Sequence, residues 1–301
     1  MKFTALCTAA LALSTLAASA QAPAGTPSRQ AGFGRIGTPP PMMDFSDNTG
    51  FTSLFNGKTL NGFDYDKNLW DVQDGAIHIK ATCEKPTGTV YAVSTAGEFG
   101  DFVLKYEMKG TGNINGGMQF RSHINSEASP SGGAKMVPAP RPAAPPRPAG
   151  AAGAAARPPR PAACANPGTA PTKEAEAKWD LAGPQADFDE GNRYSGMFYE
   201  QSGRAVIATP GYSMFGDDTG SFAMAQIADK AMHDSWFHKD DWNQFVIVAI
   251  GHSYSIYMNG HLVTQFVDLD PKYFRSAGKI GVESESTGDL WTRNIMIKKL
   301  N

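Results

Sequence analysis

Within GPQADFDEG, residues 183–191, Gln185, Asp187 and Asp189 recur at every second position, separated by Ala186 and Phe188. Alternate side chains of an extended strand share a face, so this spacing predicts one polar and one apolar face. GGMQFRSHI repeats the pattern, with Gln119 and Arg121 set between Met118, Phe120 and Ser122. FVLKYEMK alternates Phe102, Leu104, Tyr106 and Met108 with Val103, Lys105 and Glu107, and GVESES puts Glu283 and Glu285 on one side. These stretches gather several carboxylates and one guanidinium. Carboxylates move protons as general acids and bases, and a guanidinium stabilises developing negative charge. Such groups suit a polar groove that does acid–base work. The same residues also suit the solvated outward faces of an antiparallel sheet, the commonest fate of alternating polar positions.

The elements that must hold these residues read as strands. Trp70, Val72, Ile77 and Ile79 alternate around Asp74-Gly75, a hairpin signal. NQFVIVAIGHSYSIYMNGHLVTQFVD reads as three strands, with the Asn259-Gly260 turn between the second and third. DFVLKYEMKG and NGGMQFRSHI read as two strands, as do GKIGVESES and LWTRNIMIKKL. No long leucine-rich helical pattern occurs, and 32 Gly and 21 Pro supply turns throughout. Ten or more short strands with turn signals predict an all-β protein, a jelly-roll β-sandwich.

The 301 residues carry a formal net charge of -2. Without a basic excess there is no drive for counterion release, so nucleic acid is not an expected partner. Residues 1–20 read as a signal peptide. Lys2 precedes an apolar run too short to span a bilayer, and Ala18-Ser19-Ala20 is a cleavage signal, so the mature chain is expected to be secreted or periplasmic, with no transmembrane segment. Residues 21–49 read as a disordered lead-in and 50–301 as a single β-sandwich domain. That domain is interrupted by a low-complexity, disordered Pro/Ala-rich insertion at 128–172, which is basic and carries no acidic residue. The insertion reads as a solvated loop or as a tether to an anionic surface. Cys83 and Cys164 form either a disulfide or two unpaired thiols, and their spacing is no zinc motif. Nucleotide-loop, zincin and nucleophile-elbow motifs are all missing from the sequence.

The order of GFTSLFNGKTLNGF, DVQDGAIHI, GDFVLKYEMK, GGMQFRS, GPQADFDEG, YSGMFYEQSGR, DDWNQFVIVAIG, YMNG and TRNIMIKKL resembles the DUF1080 family, the 3-keto-disaccharide hydrolases. The resemblance runs from about residue 50 to the C-terminus, outside the insertion. It implies a concanavalin A-like lectin/glucanase fold and action on glycosides already oxidised at C3. A C3 ketone acidifies the C2 proton. A base removes that proton, the C1 oxygen departs, and later addition of water completes a net hydrolysis.

Joined to the alternation, the resemblance implies Asp187 or Glu283 as general base and Arg121 as charge stabiliser. Gln185, Glu107, Gln119, Asp189, Tyr194, Tyr199 and Glu200 are the expected substrate contacts. A divalent metal is compatible with the chemistry, but no ligands for one are assigned, and no oligomeric state is indicated. Many relatives carry a Gln and a His in the penultimate strand, where this chain reads GVESES, and Glu-x-Gln where it has Gln185-x-Asp187. If the His of those relatives takes part in catalysis, this chain uses a different base or has lost the activity. The alternatives are a non-catalytic, lectin-like carbohydrate-binding module and an envelope scaffold acting through the insertion. The expected partner in the first two readings is a carbohydrate.

Overall fold

The computed structural model describes residues 45–125 and 166–300. The expected signal peptide, most of the lead-in and most of the 128–172 insertion, with the tether reading that rests on it, lie outside these residues. The strands run β1 Thr52–Ser53, β2 Phe63–Tyr65, β3 Trp70–Gln73, β4 Ala76–Ala81, β5 Val90–Ser94 and β6 Phe102–Ile124. Then follow α1 Lys173–Glu176, β7 Leu181–Asp189, β8 Phe198–Gln201, β9 Ala205–Ala208, β10 Tyr212–Asp217 and β11 Gly220–Gln226. The chain closes with α2 Lys230–Trp236, β12 Asn243–Ile250, β13 Ser253–Met258, β14 His261–Asp268 and β15 Lys279–Lys299.

Two pairs of strands expected to be short are instead single long strands. β6 has 23 residues and β15 has 21, and they pair along nearly their whole length. Gly112 and Gly288 are partners midway, at φ +77° and +140°, conformations that only glycine adopts without strain. Here both strands pass from one layer to the other. On one side of this point β6 lies between β12 and β15, in the order β11-β10-β14-β13-β12-β6-β15. On the other, β6 lies between β7 and β15, with β8 and β9 beyond β7 and with β5 and β2 beyond β15. The pairs are antiparallel except β10 with β14.

Aromatic side chains from the two layers meet in the middle. Phe198 lies 5.1 Å, centroid to centroid, from both Tyr254 and Phe266, and Phe188 lies 6.3 Å from Phe245. Each such pair adds about 0.5–1.5 kcal/mol beyond the area it buries. The result is the expected all-β sandwich. Because Met118, Phe120, Ala186 and Phe188 fill this core, their alternating neighbours must face outward from the second layer.

Arg121 is the exception, and it corrects the expectation that it stabilises charge in a groove. Its φ is +45°, and the β6–β7 register shifts between Gln119 and His123. This bulge takes Arg121 out of the alternation and into the end of the sandwich, fully buried. Its guanidinium donates to the carbonyls of Gly100 (3.0 Å), Gly251 (2.7 Å) and Arg275 (3.2 Å) and pairs with Asp101 at 2.7 Å. It ties three loops together and lies outside the polar face that Gln119 shares.

Described residues beyond the expected domain boundaries are bonded to the sandwich as well. The buried Lys105 ammonium donates to the carbonyls of Phe45 (2.7 Å) and Asp47 (2.6 Å). The Gly168 amide donates to the Cys83 carbonyl at 2.9 Å, and Thr172 caps α1. Cys83 is disulfide-bonded, its partner lying outside the described residues. Arg121→Leu strands several buried acceptors, and we expect a loss of about 3 kcal/mol or more in urea unfolding. A near-wild-type midpoint would show that the cluster is not structural.

Candidate functional site

The outward face of the second layer carries a groove of about 500 Å³, lined by Asn115, Gln185, Asp187, Tyr199, Glu283 and Glu285, with Tyr194, Met197, Gln201 and Val206 along one side. Three adjacent strands build its floor. Asp187 on β7 pairs in register with Gly117 on β6, and Gly117 pairs with Glu283 on β15. The two carboxylates therefore stand on either side of a residue with no side chain. A Cβ on Gly117 would lie 2.5 Å from Gln185 Nε2 and 2.6 Å from the Ala186 carbonyl oxygen, so the position excludes anything larger. Asp189, Asn115 and Glu285 form the neighbouring row, and Gln185, Gln119 and Gly281 the row on the other side.

A chain of hydrogen bonds fixes Glu283. Ser122 Oγ donates to Gln119 Oε1 (2.7 Å), Gln119 Nε2 to Gln185 Oε1 (2.6 Å), and Gln185 Nε2 to Glu283 Oε2 (2.8 Å). Each amide donates in the same direction, so Glu283 Oε2 is an acceptor and its other oxygen is left for the groove. Asp187 Oδ1 accepts from the Phe188 amide at 3.1 Å.

Burial raises the Asp187 carboxyl well above the usual carboxylate range, and the Glu285 charge raises it further. The Phe188 amide, and also the Asn115 side chain, oppose this by stabilising the ionised form. Burial likewise raises Glu283 well above that range, followed by the charges of Glu285 and Asp187, with Gln185 opposing. Like charges shielded from solvent disfavour one another's ionised form, which is the sense of both shifts. The arrangement can offer a base and an acid side by side.

The structure thus brings together Gln185, Asp187, Glu283, Tyr194 and Tyr199, with Gln119 behind them. It separates the rest. Glu107 lies on the outer face of the other layer, where Arg293 Nε (2.7 Å) and Asn294 Nδ2 (2.6 Å) hold it. Glu200 is buried against Arg204 at 2.8 Å, and Arg204 also pairs with Asp268 at 2.7 Å. Asp189 accepts from Arg193 Nη2 at 2.7 Å and from the Arg193 amide at 2.8 Å, which closes the loop after β7. Glu107, Asp189 and Glu200, expected as contacts, are thus each matched by a guanidinium, and none of the three lines this groove.

Asn115, Gln201, Met197 and Val206 were missed as lining residues. For Asn115 the signal existed, since it alternates with Gly117 and Gln119, and Glu285 likewise follows Glu283. Gln201 and Val206 arrive only through the pairing of β7 with β8 and of β8 with β9. Among the described residues no group of three or more His, Cys, Asp or Glu is arranged to hold a metal.

The pattern that defines the 3-keto-alpha-glucoside-1,2-lyase-like domain matches residues 50–298. The chain belongs to that family. The match spans the whole described sandwich apart from its edges. No curated protein matches the chain. Among solved structures, a candidate glycosyl hydrolase from Parabacteroides distasonis is similar at 15% identity and a TM-score of 0.44, covering 84% of this chain and 95% of its own. The carbohydrate-binding module CBM66 from Bacillus subtilis is similar at 14% identity and a TM-score of 0.41, over 83% and 96%. A β-glucanase from Bacillus licheniformis is similar at 11% identity and a TM-score of 0.38, over 84% and 94%. No helix among the described residues is long and apolar enough to cross a membrane.

A carboxyl whose pKa rises on folding costs stability once the pH passes its unfolded value of about 4, and the cost grows until the folded group ionises. Glu283→Gln removes that cost while keeping an acceptor for Gln185. We expect its melting temperature to exceed wild type at pH 8 by about 2–4 °C for each kcal/mol recovered, with little difference at pH 4. Equal gains at both pH values would mean the carboxyl is not held protonated.

Proposed function

We propose that this protein is an exported enzyme that cleaves 3-keto-glycosides by elimination in the groove of the second layer. The observation that carries the reading is the pair Asp187 and Glu283, set across Gly117 and held above the usual carboxylate range. Asp187 accepts from two donors that favour its ionised form, so it is assigned as base. Glu283 is the more enclosed, with one opposing donor, and is assigned as acid.

The sugar ring lies over Gly117. Asp187 takes the C2 proton, whose removal the C3 ketone assists. The electron pair forms the C1–C2 double bond and the C1–O bond breaks. Glu283 gives its proton to the departing oxygen. Water then adds at C1, restoring the proton at C2, and the net result is hydrolysis. With Arg121 elsewhere, the developing charge on the ketone oxygen falls to neutral donors in the lining, the Tyr199 hydroxyl and the Gln201 amide. A low-dielectric groove makes such donors more effective than they are in water. The disulfide at Cys83 supports export to an oxidising compartment.

The test is turnover of a 3-keto-glucoside by the purified mature protein. Asp187→Asn and Glu283→Gln are each expected to lower kcat by about 10²–10⁴. The pH profile of kcat/KM should be a bell whose acidic limb is displaced upward from ordinary carboxylate values. Its alkaline limb should disappear in Glu283→Gln. Product-free binding of the same sugar would replace the enzyme reading with that of a binding module, and full activity in Asp187→Asn would remove the assigned base.

A further inference from the structure

The carboxylate groove has an apolar neighbour. Tyr194, Met197 and Val206 line the groove and also line a second depression of about 410 Å³, which continues over Pro210, Tyr212 and Ala228. Both volumes lie in the range of ligand-sized sites. The two hollows therefore share a wall, and a molecule seated in one can extend into the other. Two of the three shared residues are exposed, Tyr194 at 42% and Val206 at 51%, while Met197 between them is buried.

Most of the polar side chains that border the second depression already have partners, which leaves the exposed Thr209 hydroxyl and the hydroxyls of Tyr194 and Tyr212. Arg193 is held by Asp189, and Lys230 pairs with Asp234. Asp229 caps α2 by accepting from the Met232 amide at 2.8 Å, and His233 Nε2 lies 2.8 Å from the Ser195 carbonyl oxygen. Gln226 donates to the Ala228 carbonyl at 3.3 Å. A second sugar ring brings several hydroxyls that need partners, and burying them unpaired is costly. A flat apolar group needs only the walls, two of which are tyrosine rings able to stack against it.

We infer that this depression is the leaving-group subsite and that it takes an apolar ring, so that the protein is selective for aryl or arylalkyl 3-keto-glycosides over disaccharides. The inference rests on the proposed reaction, because the leaving group is whatever C1 carries out of the groove. Elimination transfers the C1–O electron pair to that group and a proton from Glu283 to its oxygen, and no further reactant is required.

The experiment compares benzyl with methyl 3-keto-glucosides, both anomers, since the two alcohols leave with similar basicity. Wild-type kcat/KM should favour benzyl at least tenfold, and Tyr212→Ser and Val206→Ser should each bring the ratio toward one. A ratio near one in wild type, or an unchanged ratio in both variants, overturns the inference. Val206 is half exposed, so its substitution leaves the fold intact even where Tyr212→Ser does not. A second arm needs no turnover. Calorimetry with unoxidised benzyl and methyl glucosides should favour benzyl in wild type and lose that preference in the variants. Equal or undetectable binding of both overturns the subsite. A benzyl preference without any turnover of 3-keto substrates would instead sink the proposed reaction and leave the subsite standing.

Discussion

The antiparallel pairing of β6 with β15 is the constraint on which the rest of the structure depends. The two strands run together through both layers, so a single register decides which side chains enter the core in each. A slip of one residue would turn Met118 and Phe120 outward and drive Gln119 into the sandwich. β7 then adds to the free edge of β6 and places Asp187 opposite Gly117, as β15 places Glu283 on its other side. The groove is thus a by-product of the same register that builds the core, with one glycine holding it open.

Carboxylates in this protein divide by whether a cation answers them. Glu107, Asp189, Glu200 and Asp268 each meet an arginine at 2.7–2.8 Å, and they bind loops and strands together. Asp187 and Glu283 meet amides and the fields of neighbouring carboxylates instead, and both are shifted upward. Burying them this way opposes folding, and the aromatic contacts between the layers offset the cost. A site that holds groups in an unfavourable state is where chemistry is expected.

The apolar wall formed by Tyr194, Met197 and Val206 continues the same logic beyond the carboxylates. Asp229 and Arg193, which border it, are engaged in capping α2 and in closing the loop after β7. Apolar and aromatic side chains make up more of this half of the cleft than of the carboxylate half, so the two halves differ in the kind of atoms they can hold.

Alternation in the amino-acid sequence was enough to determine the all-β class, the extended stretches of β3, β4, β6, β7 and β12–β15, and the polar faces of Gln185-x-Asp187 and Gln119, because side-chain direction has a period of two in any extended chain. It was also enough to join Glu283 to a polar face. It misled at Arg121, since one residue at φ +45° breaks the period and no local pattern signals that bulge. Glu107 follows the alternation faithfully, yet β6 crosses between layers at Gly112, so its outward face is not the outward face of Gln119. The partnering of Glu200 with Arg204 and Asp268, and the meeting of Asp187, Gly117 and Glu283 in one row, depend on which strands become neighbours. Those distances join residues far apart in the chain, so only the tertiary structure decided them.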